Sequence, residues 1–237
     1  MLLYIIRHGD PIYHPDSLTP RGHLQAQALA KRLARYGVDE LYASPLIRAQ
    51  QTAAPTAVLL NQSVEILDWT SEAAAWDDFS VEENGRRCWI FHSSRRVRLR
   101  EATIRARGLR WYEDPLFADT RAEAGYHRIL DASDAFLAAH GYDHDRLNCR
   151  YIARTPNDRR VAVFCHQGFG LSWLGALLDI PLPVTWANMD FGHTGMTVIE
   201  FRADDAGLCV PKLLTLSNDS HLYAEGLPTM YQNRIYF

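Results

Sequence analysis

The sequence predicts an α/β protein in three layers, with helices on both faces of a mostly parallel sheet. One observation is the short apolar run from Leu2 to Ile6, which is typical of a strand buried on both faces. A second is the similar run at residues 161 to 165. A third is the order strand, helix, strand, helix in the first 60 residues, which favours parallel pairing.

The first helix has local signals at both of its ends. Leucines and alanines recur at helical spacing over residues 24 to 33. Thr19 suits the N-cap, Pro20 the first helical position and Gly37 the C-terminal stop. We therefore expect a helix between Pro20 and Gly37.

A second strand and a second helix follow directly. The strand is expected around Leu41 to Ala43, with Ser44 as N-cap and Pro45 as the first residue of the helix. Pro55 lies inside this helical pattern and should kink or interrupt it, because proline lacks the N–H that a helix needs.

The remaining elements of the sheet lie near the C-terminus. After the strand at 161 to 165, residues 171 to 180 read as a helix that closes before Pro181. Residues 196 to 201 read as a strand, and residues 212 to 219 as a last strand with a turn.

Composition limits the class of protein. The chain has 237 residues, enough to bury a full-sized core, and we expect a single domain over residues 1 to 237. A net charge of -3 gives no general attraction to nucleic acid or membranes. No apolar stretch reaches the ~18 residues of a membrane span, and the N-terminus lacks a basic leader, so we expect a cytoplasmic protein. The four cysteines lack the spacing of a zinc site, and we expect buried, reduced thiols.

Charge is segregated in the middle of the chain. Residues 65 to 83 carry seven acids and no lysine or arginine, whereas residues 86 to 110 carry nine arginines and one acid. Residues 84 to 158 have their own helical pattern and no linker-like composition at either end. We therefore interpret 84 to 158 as a cap inserted over the carboxyl edge of the sheet.

Four residues with useful chemistry follow strands or open a helix: Arg7, His8, Arg48 and His166. Because ligands in open α/β sheets bind outside the carboxyl ends of the strands, we expect these side chains to meet at one edge. The planar fork of arginine binds phosphate oxygens in pairs and stays charged at physiological pH. The combination predicts an anion site.

Four motifs in this order resemble the histidine phosphatases, also called the phosphoglycerate mutase-like superfamily. They are RHG at 7 to 9, LTPRG at 18 to 22, ASPLIRAQQTA at 43 to 53 and CHQG at 165 to 168. The four motifs are spread over most of the chain, but none of them lies among the arginines of residues 86 to 110. The resemblance implies a phosphoglycerate mutase-like fold and a phosphatase of small phosphorylated substrates that uses a phosphohistidine and neither metal nor other cofactor.

The resemblance also implies a role for each matched residue. His8 attacks phosphorus, while its other ring nitrogen needs an acceptor such as a backbone carbonyl. Arg7, Arg48 and His166 surround the equatorial oxygens, where charge accumulates during transfer. Gly9 leaves room for the phosphate beside the backbone.

An acid must protonate the leaving oxygen and later activate water, for which a carboxyl group with a raised pKa is the usual solution. The glutamate of the family falls at Glu72. Asp68, Asp77 and Asp78 remain alternatives, and an acidic loop that merely faces the arginines is a further one.

The sequence departs from the family pattern at three places. His14 stands where many members have an asparagine that contacts phosphate, so this contact is absent or made by His14. Gln167 stands where a glycine is usual; we expect it to donate a hydrogen bond to phosphate or to be a plain turn residue. His193 lies in a loop, residues 191 to 195, that closes the pocket, and we interpret it as structural.

The arginine-rich segment, residues 86 to 110, interleaves arginines with aromatic residues such as Trp89 and Trp111. Such a mixture can bind nucleic acid through phosphate contacts and base stacking. We favour a solvated cap that the preceding acidic stretch partly neutralises, or arginines that select a substrate with further negative charge. The oligomeric state is left open.

Two other functions fit the same fold. A phosphomutase would need a phosphoenzyme protected from water. A non-catalytic module that binds a phosphorylated ligand or nucleic acid would need neither His8 nor His166. Both histidines are present, and their presence argues against such a module.

Overall fold

The computed structural model describes residues 1–229 of the chain. The strands in this part are β1 (Leu2–Arg7), β2 (Pro11–Tyr13), β3 (Asp16–Leu18), β4 (Glu40–Ala43), β5 (Val64–Ile66), β6 (Ser80–Glu83), β7 (Arg86–Trp89), β8 (Tyr142–Asp145), β9 (Arg150–Ala153), β10 (Arg160–Cys165), β11 (Met196–Glu200), β12 (Leu208–Cys209) and β13 (Lys212–Asn218). The α-helices are α1 (Pro20–Tyr36), α2 (Ile47–Leu60), α3 (Glu72–Phe79), α4 (Ala102–Ala106), α5 (Ala122–Ala139), α6 (Gln167–Leu177), α7 (Leu182–Asn188) and α8 (Ser220–Ala224).

The central sheet has six strands in the order β13-β11-β1-β10-β4-β5. β1, β10, β4 and β5 pair in parallel, whereas β11 runs antiparallel to both of its neighbours, β1 and β13. The predicted α/β class with a mostly parallel sheet is confirmed.

Alternate residues of the central strands build two separate cores, one on each face of the sheet. Leu3, Ile5 and Val163 belong to the larger cluster, which includes residues of α3, α5 and α6. Tyr4 and Ile6 belong to the smaller cluster, with residues of α1 and α2. Side chains of a strand point alternately to opposite faces, so the fully apolar run of β1 is what a sheet covered on both faces requires.

The first helix agrees with its local signals. The Thr19 side chain accepts a hydrogen bond from the Gly22 N–H at 3.0 Å, and Gly37 has the positive φ of 76° that suits a stop residue.

The second helix does not begin as predicted. Ser44 is not its N-cap; the helix begins at Ile47, and the Ser44 hydroxyl is bonded to His166 instead. The predicted interruption at Pro55 is also wrong, because α2 runs through Pro55 to Leu60. A tertiary contact thus replaces the local cap.

The segment proposed as an insertion, residues 84 to 158, shares the larger core. Trp111, Ile129 and Tyr151 are fully buried there, and α5 packs against α6. Its beginning lies in the turn of the β6–β7 hairpin, and its arginine-rich part forms short 3₁₀ turns around α4 in place of one continuous helix.

The cysteines are free, and the expectation of burial holds for only two of them. Cys165 and Cys209 are buried, Cys88 is half-buried and Cys149 is exposed. Among the helices between residues 1 and 229, none has the length and apolar character that crossing a bilayer requires.

Candidate active site

The register of the parallel strands brings three distant residues to one edge of the sheet. Arg7 pairs with Cys165, and Phe164 pairs with Ala43, at the carboxyl ends of β1, β10 and β4. The next residue of each strand continues this row. His8 and His166 therefore lie side by side outside the sheet, as the rule for parallel strands predicts, and Ser44, one row earlier beside Cys165, reaches His166 with its hydroxyl.

His8 is buried, with 3% of its surface exposed. Its Nδ1 lies 2.7 Å from the Gly9 carbonyl oxygen, which can only accept, so Nδ1 carries the hydrogen and Nε2 keeps its lone pair. Burial, together with the charge of Arg7, holds the pKa of His8 well below its usual value. The ring is therefore neutral at physiological pH.

His166 lies next to His8, with 5.2 Å between the ring centroids. Its Nε2 is 2.7 Å from the Ser44 hydroxyl, whereas its Nδ1 is buried without a hydrogen-bond partner. Burial is the main reason that the pKa of His166 is well below its usual value, and the nearby His8 and Arg48 add to the effect.

Two guanidinium groups flank the histidines. Arg48 donates to Asp16 at 2.7 Å and lies 5.4 Å from the centre of the Tyr13 ring. Arg7 donates to the Phe191 carbonyl oxygen at 2.5 Å. The Nε of each arginine is buried and lacks a partner. Burial lowers the pKa of Arg7, although a guanidinium with so high an ordinary value remains charged.

Glu72, the first residue of α3, reaches the start of α6. Its carboxylate accepts hydrogen bonds from the Gly168 and Phe169 N–H groups at 3.0 and 2.8 Å. These bonds favour the ionised form, but burial outweighs them and raises the pKa of Glu72. Arg7 and Arg48 are close enough to act on this carboxylate as opposing charges.

The three aspartates considered as alternatives to Glu72 are engaged or positioned elsewhere. Asp68 is exposed, Asp77 pairs with Arg87 at 3.1 Å, and Asp78 pairs with Arg128 at 2.9 Å. Of these four carboxylates, Glu72 is the one that contacts the element following His166.

Gly9 has a packing role that the sequence did not indicate. A Cβ on Gly9 would come within 2.7 Å of the Gly22 carbonyl oxygen, so a side chain there would clash with the start of α1. The Gly9 N–H donates to the Thr52 hydroxyl at 3.0 Å. Close packing between two backbones accounts for glycine at this position.

His14 is exposed in the turn between β2 and β3, and within residues 1–229 it makes no hydrogen bond or ring contact with the converging side chains. Gln167 begins α6, and its side-chain amide donates to Asp190. That amide therefore has a partner within the protein.

Several residues support the site in ways that were not predicted from the sequence. His193, which we interpreted as structural, is buried beside His8, with 5.8 Å between the two ring centroids. The Ser44 hydroxyl holds His166, and the Thr52 hydroxyl holds Gly9. The Asp16 carboxylate holds Arg48. Ser44 and Thr52 lie inside the motif at 43 to 53, which was the available signal.

The arginine-rich segment is neutralised mainly by carboxylates outside the preceding acidic stretch. Arg95 pairs with Asp119 at 2.6 Å and Arg98 with Glu101 at 2.9 Å. Arg87 differs, because it pairs with Asp77 of the acidic stretch, as the sequence predicted for these arginines. Binding of nucleic acid by residues 86 to 110 stays the less favoured alternative.

The arrangement suits a tetrahedral anion. Two arginine Nε–H groups and one histidine ring nitrogen, all buried around a neutral imidazole, lack partners, and such groups are costly unless a ligand satisfies them. Within residues 1–229, no group of three or more His, Cys, Asp or Glu side chains could hold a metal.

Comparisons with known proteins agree with this fold. One solved structure with the same fold is the phosphoserine phosphatase of Entamoeba histolytica in complex with 3-phosphoglyceric acid: 19% identity, TM-score 0.59, covering 93% of this chain and 98% of that one. Another is a mycobacterial glucosyl-3-phosphoglycerate phosphatase with inorganic phosphate: 19% identity, TM-score 0.60, covering 93% and 98%. A search of curated proteins finds no match.

A family model supplies the assignment that these distant structures cannot give alone. The model described as the histidine phosphatase superfamily (branch 1) matches residues 3–141, which is more than half of the chain. This match includes the RHG motif and the helix that carries Arg48. The chain therefore belongs to the histidine phosphatase superfamily.

Proposed function

We propose that this protein, a phosphatase of the histidine phosphatase superfamily, hydrolyses a small phosphorylated substrate through a phosphohistidine on His8. The observation that carries the proposal is the set of buried donors without partners next to His8: Arg7 Nε, Arg48 Nε and His166 Nδ1. Three oxygens of a phosphoryl group would satisfy these donors at once.

His8 has the properties of a nucleophile. The Gly9 carbonyl fixes the tautomer that leaves a lone pair on Nε2, and burial keeps the ring unprotonated. Nε2 attacks phosphorus in line with the leaving oxygen, and the phosphoryl group moves from the ester to the ring.

The two arginines and His166 stabilise the charge on the equatorial oxygens during this transfer. They need little reorganisation, because Asp16, the Phe191 carbonyl and Ser44 already fix their positions. Fixed donors in a site with little water contribute most to such a reaction.

Glu72 is the proposed general acid and base. Burial already raises its pKa, and the arrival of a phosphate dianion raises it further, since like charges disfavour the carboxylate. The protonated Glu72 gives its proton to the leaving oxygen. The resulting carboxylate then takes a proton from the water that attacks phosphohistidine, which releases phosphate and restores the acid.

A small phosphorylated molecule is the proposed substrate class. The similar structures include one in complex with 3-phosphoglyceric acid and one with inorganic phosphate. Gln167, the first residue of α6, contributes its backbone N–H to the phosphate in this proposal, whereas Gly9 contributes through its carbonyl, which fixes the tautomer of His8.

The test is hydrolysis of p-nitrophenyl phosphate in the presence of EDTA. We expect release of free phosphate by the wild type and none above background by His8→Ala. His14→Ala is a matched control on an exposed histidine and should keep its activity. Transfer of the phosphoryl group from one position of a substrate to another, with no release of free phosphate, would point to a phosphomutase. Phosphate binding without turnover would point to a binding module.

A further inference from the structure

The loop that carries His193 is fastened to the end of the catalytic strand. The Thr194 N–H donates to the carbonyl oxygens of Arg7 and His8 at 3.1 and 3.2 Å, and the Arg7 N–H donates to the Gly195 carbonyl at 3.3 Å. The Arg7 side chain donates to the Phe191 carbonyl at the start of the same loop. His193 is therefore held in a fixed position relative to the nucleophile.

The His193 side chain is buried, with 7% of its surface exposed, and its ring is tilted by 33° from that of His8. Its Nδ1 has no hydrogen bond and lies 3.4 Å from Asp10 Oδ1. Asp10 faces Nδ1, and the other ring nitrogen, Nε2, has no hydrogen bond to any residue in the range 1–229, which points to a ligand at Nε2.

Asp10 is placed to orient this ring. Its other carboxylate oxygen accepts from the Thr19 hydroxyl at 2.8 Å, and its N–H donates to Gln25 at 2.8 Å. Because a carboxylate oxygen only accepts, it selects the tautomer of His193 with hydrogen on Nδ1. Nε2 is then the nitrogen left for a ligand.

We propose that His193 is a further ligand of the phosphoryl group and that Asp10 orients it. This proposal rests on the proposed function of the site. Binding of the phosphate dianion is coupled to the uptake of one proton from solvent: His193 becomes an imidazolium whose Nε2–H donates to a phosphoryl oxygen, while Asp10 stabilises its Nδ1–H.

The charges around His193 are consistent with such coupling. Burial and the charges of Arg7 and Arg21 lower the pKa of His193 to about 4, against the opposing effect of Asp10 and Asp190. The ring is thus neutral in the free protein. A dianion at the site offsets the two arginines and favours the protonated ring.

The experiment measures inorganic phosphate binding by the full chain with isothermal titration calorimetry. Variants are His193→Ala and His193→Gln, with His14→Ala as the control. We expect the His193 variants to bind phosphate at least about tenfold more weakly, the scale of a charge-assisted hydrogen bond, and the control to be within about twofold of the wild type.

Nitrogen-15 NMR of wild-type histidines gives a readout that does not depend on any variant folding. Phosphate should shift His193 Nε2 from the unprotonated to the protonated range. Proton uptake on binding, measured in buffers of different ionisation enthalpy, should fall in His193→Gln. An unmoved His193 signal, or unchanged affinity in both His193 variants, would overturn the proposal. If the His193 variants bind phosphate more weakly but the wild type forms no phosphohistidine, the role of His193 as a phosphate ligand stands. Only the proposed mechanism is then refuted.

Discussion

Two groups of histidines with buried side chains lie in opposite environments. At the carboxyl edge of the sheet, His8 and His166 have cationic neighbours and pKa values well below the usual range. Next to α5, His144 lies between two carboxylates, Asp134 at 2.8 Å and Asp179 at 3.2 Å, and its pKa is raised to about 9.

The difference lies in whether the polar groups satisfy one another. His144 uses both ring nitrogens within the protein and stacks on Tyr151, with 4.3 Å between centroids. At the other edge, His166 Nδ1 and Arg48 Nε lack partners. We therefore expect the cluster around His144 to stabilise the fold, and the proposed active site to give up stability for the binding of an anion.

The sharpest test of this contrast is the rate of phosphate release. We expect His8→Ala to lower kcat for p-nitrophenyl phosphate by at least about a thousandfold, because the nucleophile is lost. His144→Ala should keep kcat per folded molecule within about twofold, since His144 lies outside the site. A large loss of kcat in folded His144→Ala would show that the two regions are not independent.

For stability we expect the opposite pattern: His144→Ala, which should hardly change kcat, should lower the free energy of unfolding. His144→Ala removes the cation shared by Asp134 and Asp179, of which Asp134 keeps its pair with Arg146, and we expect the free energy of unfolding to fall by about 3 kcal/mol. Urea denaturation measures this change, with the exposed His23→Ala as control. Equal stability of the two variants would argue against the importance of the cluster.

The pH dependence of stability follows from the raised pKa of His144. The folded-state value of about 9 exceeds the ordinary 6.5, so the contribution is fully present below about pH 6.5 and is lost as the pH rises through 9. Between these limits the wild type should lose up to about 3 kcal/mol. Urea denaturation at both ends of the range should show a smaller loss in His144→Ala. A parallel dependence in the two proteins would contradict the assignment.

The loss of kcat caused by removing the proposed acid, Glu72, should depend on the leaving group of the substrate. Glu72→Gln should lower kcat by about a hundredfold for an alkyl phosphate, whose leaving oxygen needs a proton. The loss should be smaller for p-nitrophenyl phosphate, whose leaving group departs as the anion. Equal losses for both esters would assign Glu72 to positioning rather than to proton transfer.

The smallest effect is expected at the partly exposed pair Arg95 and Asp119. Arg95→Ala should lower the free energy of unfolding by at most about 1 kcal/mol, since solvent screens such pairs. Thermal or urea denaturation measures it. A loss as large as that of His144→Ala would mean that surface and buried pairs contribute alike.

Elements with local signals could be predicted from the sequence. The cap of α1 by Thr19 depends on residues three positions apart, and the double burial of β1 follows from its apolar run. The start of α2 could not be predicted in this way, because the hydroxyl of Ser44 bonds to a histidine 122 positions away.

The site shows the same limit. The motifs indicated Arg7, His8, Arg48 and His166, because strand ends and helix starts are recognisable in the sequence. The positions of His14 and His193 depend on where a hairpin and a loop fold, and no local pattern distinguishes an outward histidine from an inward one.

The stereochemical course at phosphorus tests the central claim most directly. Transfer from an ester made chiral with three oxygen isotopes to an alcohol acceptor, catalysed by the wild type, can be analysed by phosphorus NMR. Two in-line displacements, first by His8 and then by the acceptor, predict retention of configuration. Inversion would show direct attack on the substrate and contradict the phosphohistidine.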